Sequence, residues 1–265
     1  MSIKWLLARR AVQLGVLGLF WAGIAKGNLS SSLTLGTLPL TDPLSAVQAL
    51  LAHHTLGTTA LLGAVIVAAA YALVGGRAYC AWVCPLNAVT DAAAWLRRRL
   101  GLKETIALDR RMRFWVLAGV LLAAAAAGTM AWEMVNPVAM VSRGLIAGTA
   151  SALTMAALAA LAVFLFDLGI AANGWCGHLC PVGAFYHLLG RKSLVRVTAA
   201  GRDACDNCMD CFQVCPERHV IAAPLRGKAK GISPVIQSAD CTNCGRCIDV
   251  CSKTVFRFGS RFSRD

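Results

Sequence analysis

Charge is scarce in this chain, and acidic charge is scarcest. Of 265 residues, 15% are charged, with 13 Asp and Glu against 26 Lys and Arg. So low a charge density excludes a disordered, solvating chain. No aromatic-interleaved basic domain accompanies the net charge of +13, so no nucleic-acid partner is expected. No Cys-x-x-Cys-His motif occurs, and none of the five histidines lies in the middle of an apolar run. Haem, c-type or membrane b-type, is therefore not expected. Length and apolarity exclude a secreted disulfide mini-protein. What is abundant is hydrophobic residues, at 57%, and cysteine, at twelve. These imply a membrane protein with a cysteine-rich appendage.

Charge-free runs locate the membrane segments: Ala11–Ala25, Thr55–Gly76, Phe114–Trp132 and Gly144–Phe166. With flanking residues they predict four spans, at about 6–25, 55–76, 114–132 and 147–169, each long enough for a hydrocarbon core of about 30 Å. The first run, with Arg9-Arg10 before it, also fits a signal segment. Of the 26 basic residues, 24 fall in three segments that share one side of a four-span topology, and Lys26 and Arg143 fall on the other. The positive-inside rule then places both termini in the cytoplasm of a multi-pass membrane protein, in contact with lipid.

The first half carries Asp42-Pro43 and then Tyr79-Cys80-Ala-Trp-Val-Cys84-Pro85; the second carries Asn136-Pro137 and then Trp175-Cys176-Gly-His-Leu-Cys180-Pro181. This is an internal repeat, and it argues for retaining the first segment. Asp42 and Asn136 predict helix caps with proline at the first helical position. The repeat predicts two pseudo-symmetric hairpins that bring both Cys-x3-Cys-Pro pieces to one side. Pro85 and Pro181 predict new surface helices, with each C-x3-C as a turn before them. Three readings stay open for Cys80, Cys84, Cys176 and Cys180: a third iron–sulfur cluster, redox-active thiol pairs, or a transient metal site.

The tail carries C-x2-C-x2-C-x3-C twice, the spacing of bacterial 4Fe–4S ferredoxins. Three ligands of each cluster come from one motif and the fourth from the other. Cys205, Cys208, Cys211 and Cys251 are assigned to one cluster, and Cys241, Cys244, Cys247 and Cys215 to the second. The fold expected is an all-α four-helix membrane domain over 1–192 and a small α+β two-cluster ferredoxin-like domain over 193–265. Val220-Ile221 and Val235-Ile236 are expected as its strands. Candidate catalytic or proton-handling groups, chosen by position, are Asp167, His178, Glu133, His53 and His54.

Four spans, two C-x3-C-P motifs and paired ferredoxin motifs resemble the NapH family, the membrane quinol dehydrogenase subunits of periplasmic nitrate reductase systems. The string Gly27–Pro43 and the Asn136-Pro137 segment are similar to that family as well. The resemblance implies electron transfer from quinol to periplasmic iron–sulfur or multihaem cytochrome partners, acting only with those subunits. The rival expectation is an assembly or maturation factor that keeps a metal or thiol site reduced.

Overall fold

A computed structural model of the chain describes residues 3–102, 106 and 108–263. It falls into two compact units: Met1–Gln13, Ala70–Val83 and Tyr186–Asp265 form one, and Leu14–Ala69 with Cys84–Phe185 the other. The chain is mostly helical.

The apolar runs form the helices Lys4–Trp21, Thr58–Val74, Met112–Ala127 and Ala150–Leu165, the last continued by a π-helical turn over Phe166–Ile170. Among the described residues, one stretch, Ala150–Ile170 at 21 residues, is long and apolar enough to cross a membrane by itself; Thr58–Val74, Met112–Ala127 and Pro137–Ala147 are apolar but shorter. Their burial is inverted relative to a water-soluble helix. Thr58–Val74 buries Gly63 and Ala64 and exposes Leu61, Leu62, Val65, Leu73 and Val74. Ala150–Leu165 buries Ala156 and Val163 and exposes Leu153, Met155, Leu158, Leu161 and Leu165. Small residues thus face protein while large apolar ones face outward.

Both predicted caps form. The Asp42 carboxylate accepts from Ser45 N and starts the helix Pro43–His53; the Asn136 side chain accepts from Val138 N and starts Pro137–Ala147. The two helices have equal length and end alike, on His54 (φ 53°) and Gly148 (φ 64°), both left-handed. The repeat therefore extends from the caps to the stops. Between the first two long helices, strands Ala25–Gly27, Ser31–Thr34 and Leu38–Thr41 make an antiparallel meander that the sequence analysis does not predict.

In the other unit, strands Val195–Thr198 and Arg257–Ser260 pair antiparallel, Val195 opposite Ser260 and Thr198 opposite Arg257. This corrects the strand expectation. Val220 and Ile221 lie in the helix His219–Arg226, and Val235 makes only an isolated bridge to Thr198. The helix wins at Val220 because its apolar side packs inward: Val220, Ile221 and Leu225 join Val197, Ile236, Val250, Val255 and Phe256 in one core with Cys211 and Cys247. Gly76 and Gly190 let two backbones touch: a Cβ on Gly190 would stand 2.5 Å from Gly76 N. That approach seats Arg77 inside this unit.

Candidate iron–sulfur sites

The two ferredoxin motifs fold alike. Asn207 and Met209 (φ 58° and 67°) in the first correspond to Asn243 and Gly245 (φ 48° and 73°) in the second. Left-handed residues alternating with ordinary ones turn successive amides to one side, a nest geometry that suits anions and iron–sulfur centres. The third cysteine of each motif, Cys211 or Cys247, lies in a short helix, Asp210–Val214 or Arg246–Val250. The fourth, Cys215 or Cys251, follows in extended conformation, which turns the chain out of its own loop.

One cavity is lined by Cys205, Cys208, Cys211 and Cys251, with Phe212 and Leu225 on its wall. The other is lined by Cys215, Cys241, Cys244 and Cys247, with Val197, Ile221 and Ile236. Each cavity is thus lined by three cysteines of one motif and the fourth of the other. Among the described residues, no three or more His, Cys, Asp or Glu side chains are grouped to hold a single metal ion. No disulfide joins any two of the twelve cysteines.

Burial pushes the Cys211 thiol up to about 11 and Cys241 up to about 12, and it raises Cys215 and Cys247 as well. Neighbouring cysteines add to the rise at Cys211, Cys215 and Cys247, because thiolates gathered around one cavity repel each other. Four such groups become thiolates together only around a positive centre. A sulfur-lined cavity with four thiol donors and apolar walls fits a 4Fe–4S cluster, whose iron supplies that charge. The two sites differ in access: Cys208 is exposed, whereas Cys244 and Cys247 are buried.

Sequence reasoning missed a charged network behind the second cavity. Arg77 is fully buried and donates to Glu217 Oε1 at 2.6 Å and to the Asp240 carbonyl at 3.0 Å. Burial alone lowers the pKa of the Arg77 guanidinium, but the Glu217 and Asp240 charges outweigh it and hold it above the usual value. His187 Nδ1 and His219 Nε2 meet the two oxygens of Asp240 at 2.9 and 3.0 Å. Glu217 follows Cys215-Pro216 and Asp240 precedes Cys241, so the network brackets two proposed ligands. The only sequence signal was one arginine next to a charge-free run, and nothing paired it with residues 140 and 163 positions away.

The C-x3-C pieces are single helical turns, the first capped by Val83 and the second by Cys180. Cys80 lies in Ala78–Trp82 and Cys176 in the π-helical turn Trp175–Leu179; Cys84 and Cys180 follow, both buried. The helices predicted after the prolines form as Leu86–Leu100 and Pro181–Leu189. Near the second piece, buried Arg113 donates to the Gly177 carbonyl at 3.5 Å. His178, half-buried, sits in that same turn.

The other candidates separate clearly. Glu133 is buried and accepts from Ser30 Oγ, Ser45 Oγ and Asn136 Nδ2, and it pairs with Arg143 at 2.6 Å. Its acceptor sites are filled, which suits a staple between segments rather than a base. His53 and His54 are exposed, and His54 serves as a helix stop through its N–H to the Leu50 carbonyl. Asp167 is buried in the π-helical turn, with Oδ1 accepting from Trp175 N at 2.9 Å. Its Oδ2 is buried with no hydrogen-bond partner among the described residues. Arg97 donates to the carbonyls of Asp167 and Leu168.

Paired four-cysteine cavities in a ferredoxin-like fold define an iron–sulfur electron-transfer protein of the ferredoxin type. A family profile described as a 4Fe-4S dicluster domain matches residues 204–255, and one described as a 4Fe-4S binding domain matches twice, over 56–103 and 149–198. The double match coincides with the internal repeat and includes both C-x3-C-P pieces. The chain is 48% identical to the ferredoxin-type protein NapH of Escherichia coli, covering 99% of this chain and 91% of that protein. It is 47% identical to NapH of Haemophilus influenzae, over 98% and 91%. It is 51% identical to the methylamine utilization ferredoxin-type protein MauN of Paracoccus denitrificans, over 97% and 91%. The chain belongs to the NapH/MauN family of ferredoxin-type proteins. No solved structure matches it.

Proposed function

We propose that this chain is a multi-pass inner-membrane subunit that takes electrons from quinol and passes them through two 4Fe–4S centres to partner redox subunits. The observation that carries the electron-transfer reading is the pair of crossed four-cysteine cavities. The inverted burial of the long helices supports the membrane reading. An outward belt of Leu and Val is an aggregation liability in water and normal against lipid, and small residues suit helix contacts in a bilayer. Four spans with both termini in the cytoplasm fit the distribution of basic residues.

Each cluster accepts one electron at a time, so a row of centres divides the two electrons of a quinol. Cys80, Cys84, Cys176 and Cys180 are proposed as a further redox centre, supported by the doubled 4Fe-4S binding-domain match across them. Quinol-driven reduction of the purified, iron-loaded chain with its partner subunits tests the reading; clusters that stay oxidised reject it in favour of the maturation role. Cys84→Ser and Cys180→Ser are expected to abolish quinol turnover and leave the two ferredoxin signals intact in EPR; unchanged turnover removes these cysteines from the path.

Asp167 is the proposed proton acceptor, because it is buried beside the second C-x3-C turn with an oxygen left open. π-Helical turns of this kind recur at functional sites. Asp167→Asn keeps the shape and removes the base. Quinol oxidation should fall about 100-fold or more, the scale of general-base catalysis, while dithionite still reduces both clusters. A rate within twofold of wild type rules Asp167 out.

The partners proposed are the periplasmic iron–sulfur and cytochrome subunits of a nitrate reductase system. The 51% identity to methylamine utilization proteins favours a second reading, in which the same electrons serve methylamine utilization. Complementation separates the two. The chain should restore nitrate-dependent growth to a strain lacking its NapH, whereas rescue of methylamine growth in a strain lacking MauN, and not of the former, selects the second reading.

A further inference from the structure

One indole joins the Cys80–Cys84 loop to the second four-cysteine cavity. Trp82 stands midway between Cys80 and Cys84, and its Nε1 donates to the Asn243 carbonyl at 2.9 Å. Asn243 lies between Cys241 and Cys244 and is buried. Its side chain is spent locally: Oδ1 accepts from Cys241 Sγ at 3.5 Å, and Nδ2 donates to the carbonyls of Val74 and Val195 at 3.2 and 3.0 Å. Trp5 packs edge-on against Trp82, with ring centroids 6.1 Å apart, and covers Gly245, where a Cβ would stand 2.7 Å from the indole. The Asp249 carboxylate accepts from the amides of Trp5 and Leu6, which anchors that ring to the same motif.

We propose that Trp82 is the positioning residue that couples the Cys80–Cys84 loop electronically to the centre held by Cys215, Cys241, Cys244 and Cys247; this rests on the electron-transfer reading above. Tunnelling weakens steeply across gaps. The route from Cys80 through Ala81 and Trp82 to the Asn243 carbonyl has one non-covalent step, and the next peptide nitrogen belongs to Cys244. With a cluster bound at the second cavity, one electron would pass to it from the redox group proposed at the Cys80–Cys84 loop, which is oxidised by one electron as the cluster is reduced by one; no proton would accompany it, and the indole would stay neutral. The N–H also draws charge from the Asn243–Cys244 peptide, which favours the reduced centre, as hydrogen bonds around a cluster do.

The test compares iron-loaded full-length wild type, Trp82→Phe and Trp82→Leu. A dithionite titration followed by EPR needs no quinol. The second centre's midpoint should move to a more negative value in Trp82→Phe, with the first centre's midpoint and the iron content unchanged. Quinol-driven reduction of the second centre should slow about 10- to 100-fold in Trp82→Leu, the usual range for outer-shell partners. An unmoved midpoint together with an unchanged rate overturns the proposal. If wild type itself takes no electrons from quinol, the electron-transfer reading fails, and an unmoved midpoint in Trp82→Phe then rejects Trp82 by itself. Should Trp82→Leu not fold, Trp82→Phe, which keeps an aromatic ring, supplies both readouts.

Discussion

Cys251→Ser is expected to remove the same cluster signal as Cys208→Ser, although 43 residues separate the two positions in the chain. The ferredoxin-region iron should drop from about eight to about four per chain, the content of one 4Fe–4S cluster. Cys215→Ser should remove the other signal and match Cys244→Ser. The reason is geometric. Each fourth cysteine leaves its short helix in extended conformation, and Cys251 reaches the wall shared with Cys205, Cys208 and Cys211. If each motif instead held its own cluster, Cys251→Ser would match Cys244→Ser, and EPR with iron analysis on the four variants separates the cases. The surviving centre also differs in access. With the Cys205/Cys208/Cys211/Cys251 centre remaining, a hydrophilic oxidant should reach it quickly, because Cys208 is exposed; the centre bounded by buried Cys244 and Cys247 should respond slowly.

Arg77→Met is expected to cost about 3–5 kcal/mol, the usual price of stranding one member of a buried ion pair. Glu217 stays buried and loses the 2.6 Å guanidinium contact at Oε1, and the Asp240 carbonyl loses the Arg77 donor. Because Glu217 and Asp240 sit next to Cys215 and Cys241, iron should be lost from the second centre first. The double variant Arg77→Met with Glu217→Leu removes both charges, and much of the stability should return, since apolar replacement of a buried pair is often neutral or better. Thermal unfolding and iron retention of the three proteins give the comparison. A loss below about 1 kcal/mol for Arg77→Met, the value of a surface pair, shows that the network does not hold this unit together.

Sequence signals predict structure where the chemistry that makes it is local. Asp42-Pro43 and Asn136-Pro137 start helices because a capping side chain and a proline act within a few residues. Pro85 and Pro181 mark new helices for a similar reason. The strand expectation failed at Val220-Ile221. Two β-branched residues suit a strand, but core packing at Val220, Ile221, Pro224 and Leu225, with pairs three and four positions apart, selects a helix. The meander over Ala25–Thr41 escaped notice because its strands have three or four residues, too few for an alternation to register. Among the candidate proton groups, position alone ranked Glu133 with Asp167. The fold separates them, since one carboxylate is filled by four partners and the other keeps an oxygen open.

The sequence by itself determined the twelve cysteines and their spacing, the apolar runs, the internal repeat and the one-sided distribution of charge. Cluster spacing and hydrophobic length are properties of contiguous residues, so they survive without coordinates. Only the tertiary structure decided which buried charges pair and which indole meets the second cysteine motif. Arg77 finds Glu217 and Asp240, and Trp82 finds Asn243, across separations of 140 to 163 residues. No periodicity encodes such pairings. They follow from Gly76 and Gly190 letting two backbones approach, and from the cost of leaving a buried guanidinium or indole N–H without an acceptor.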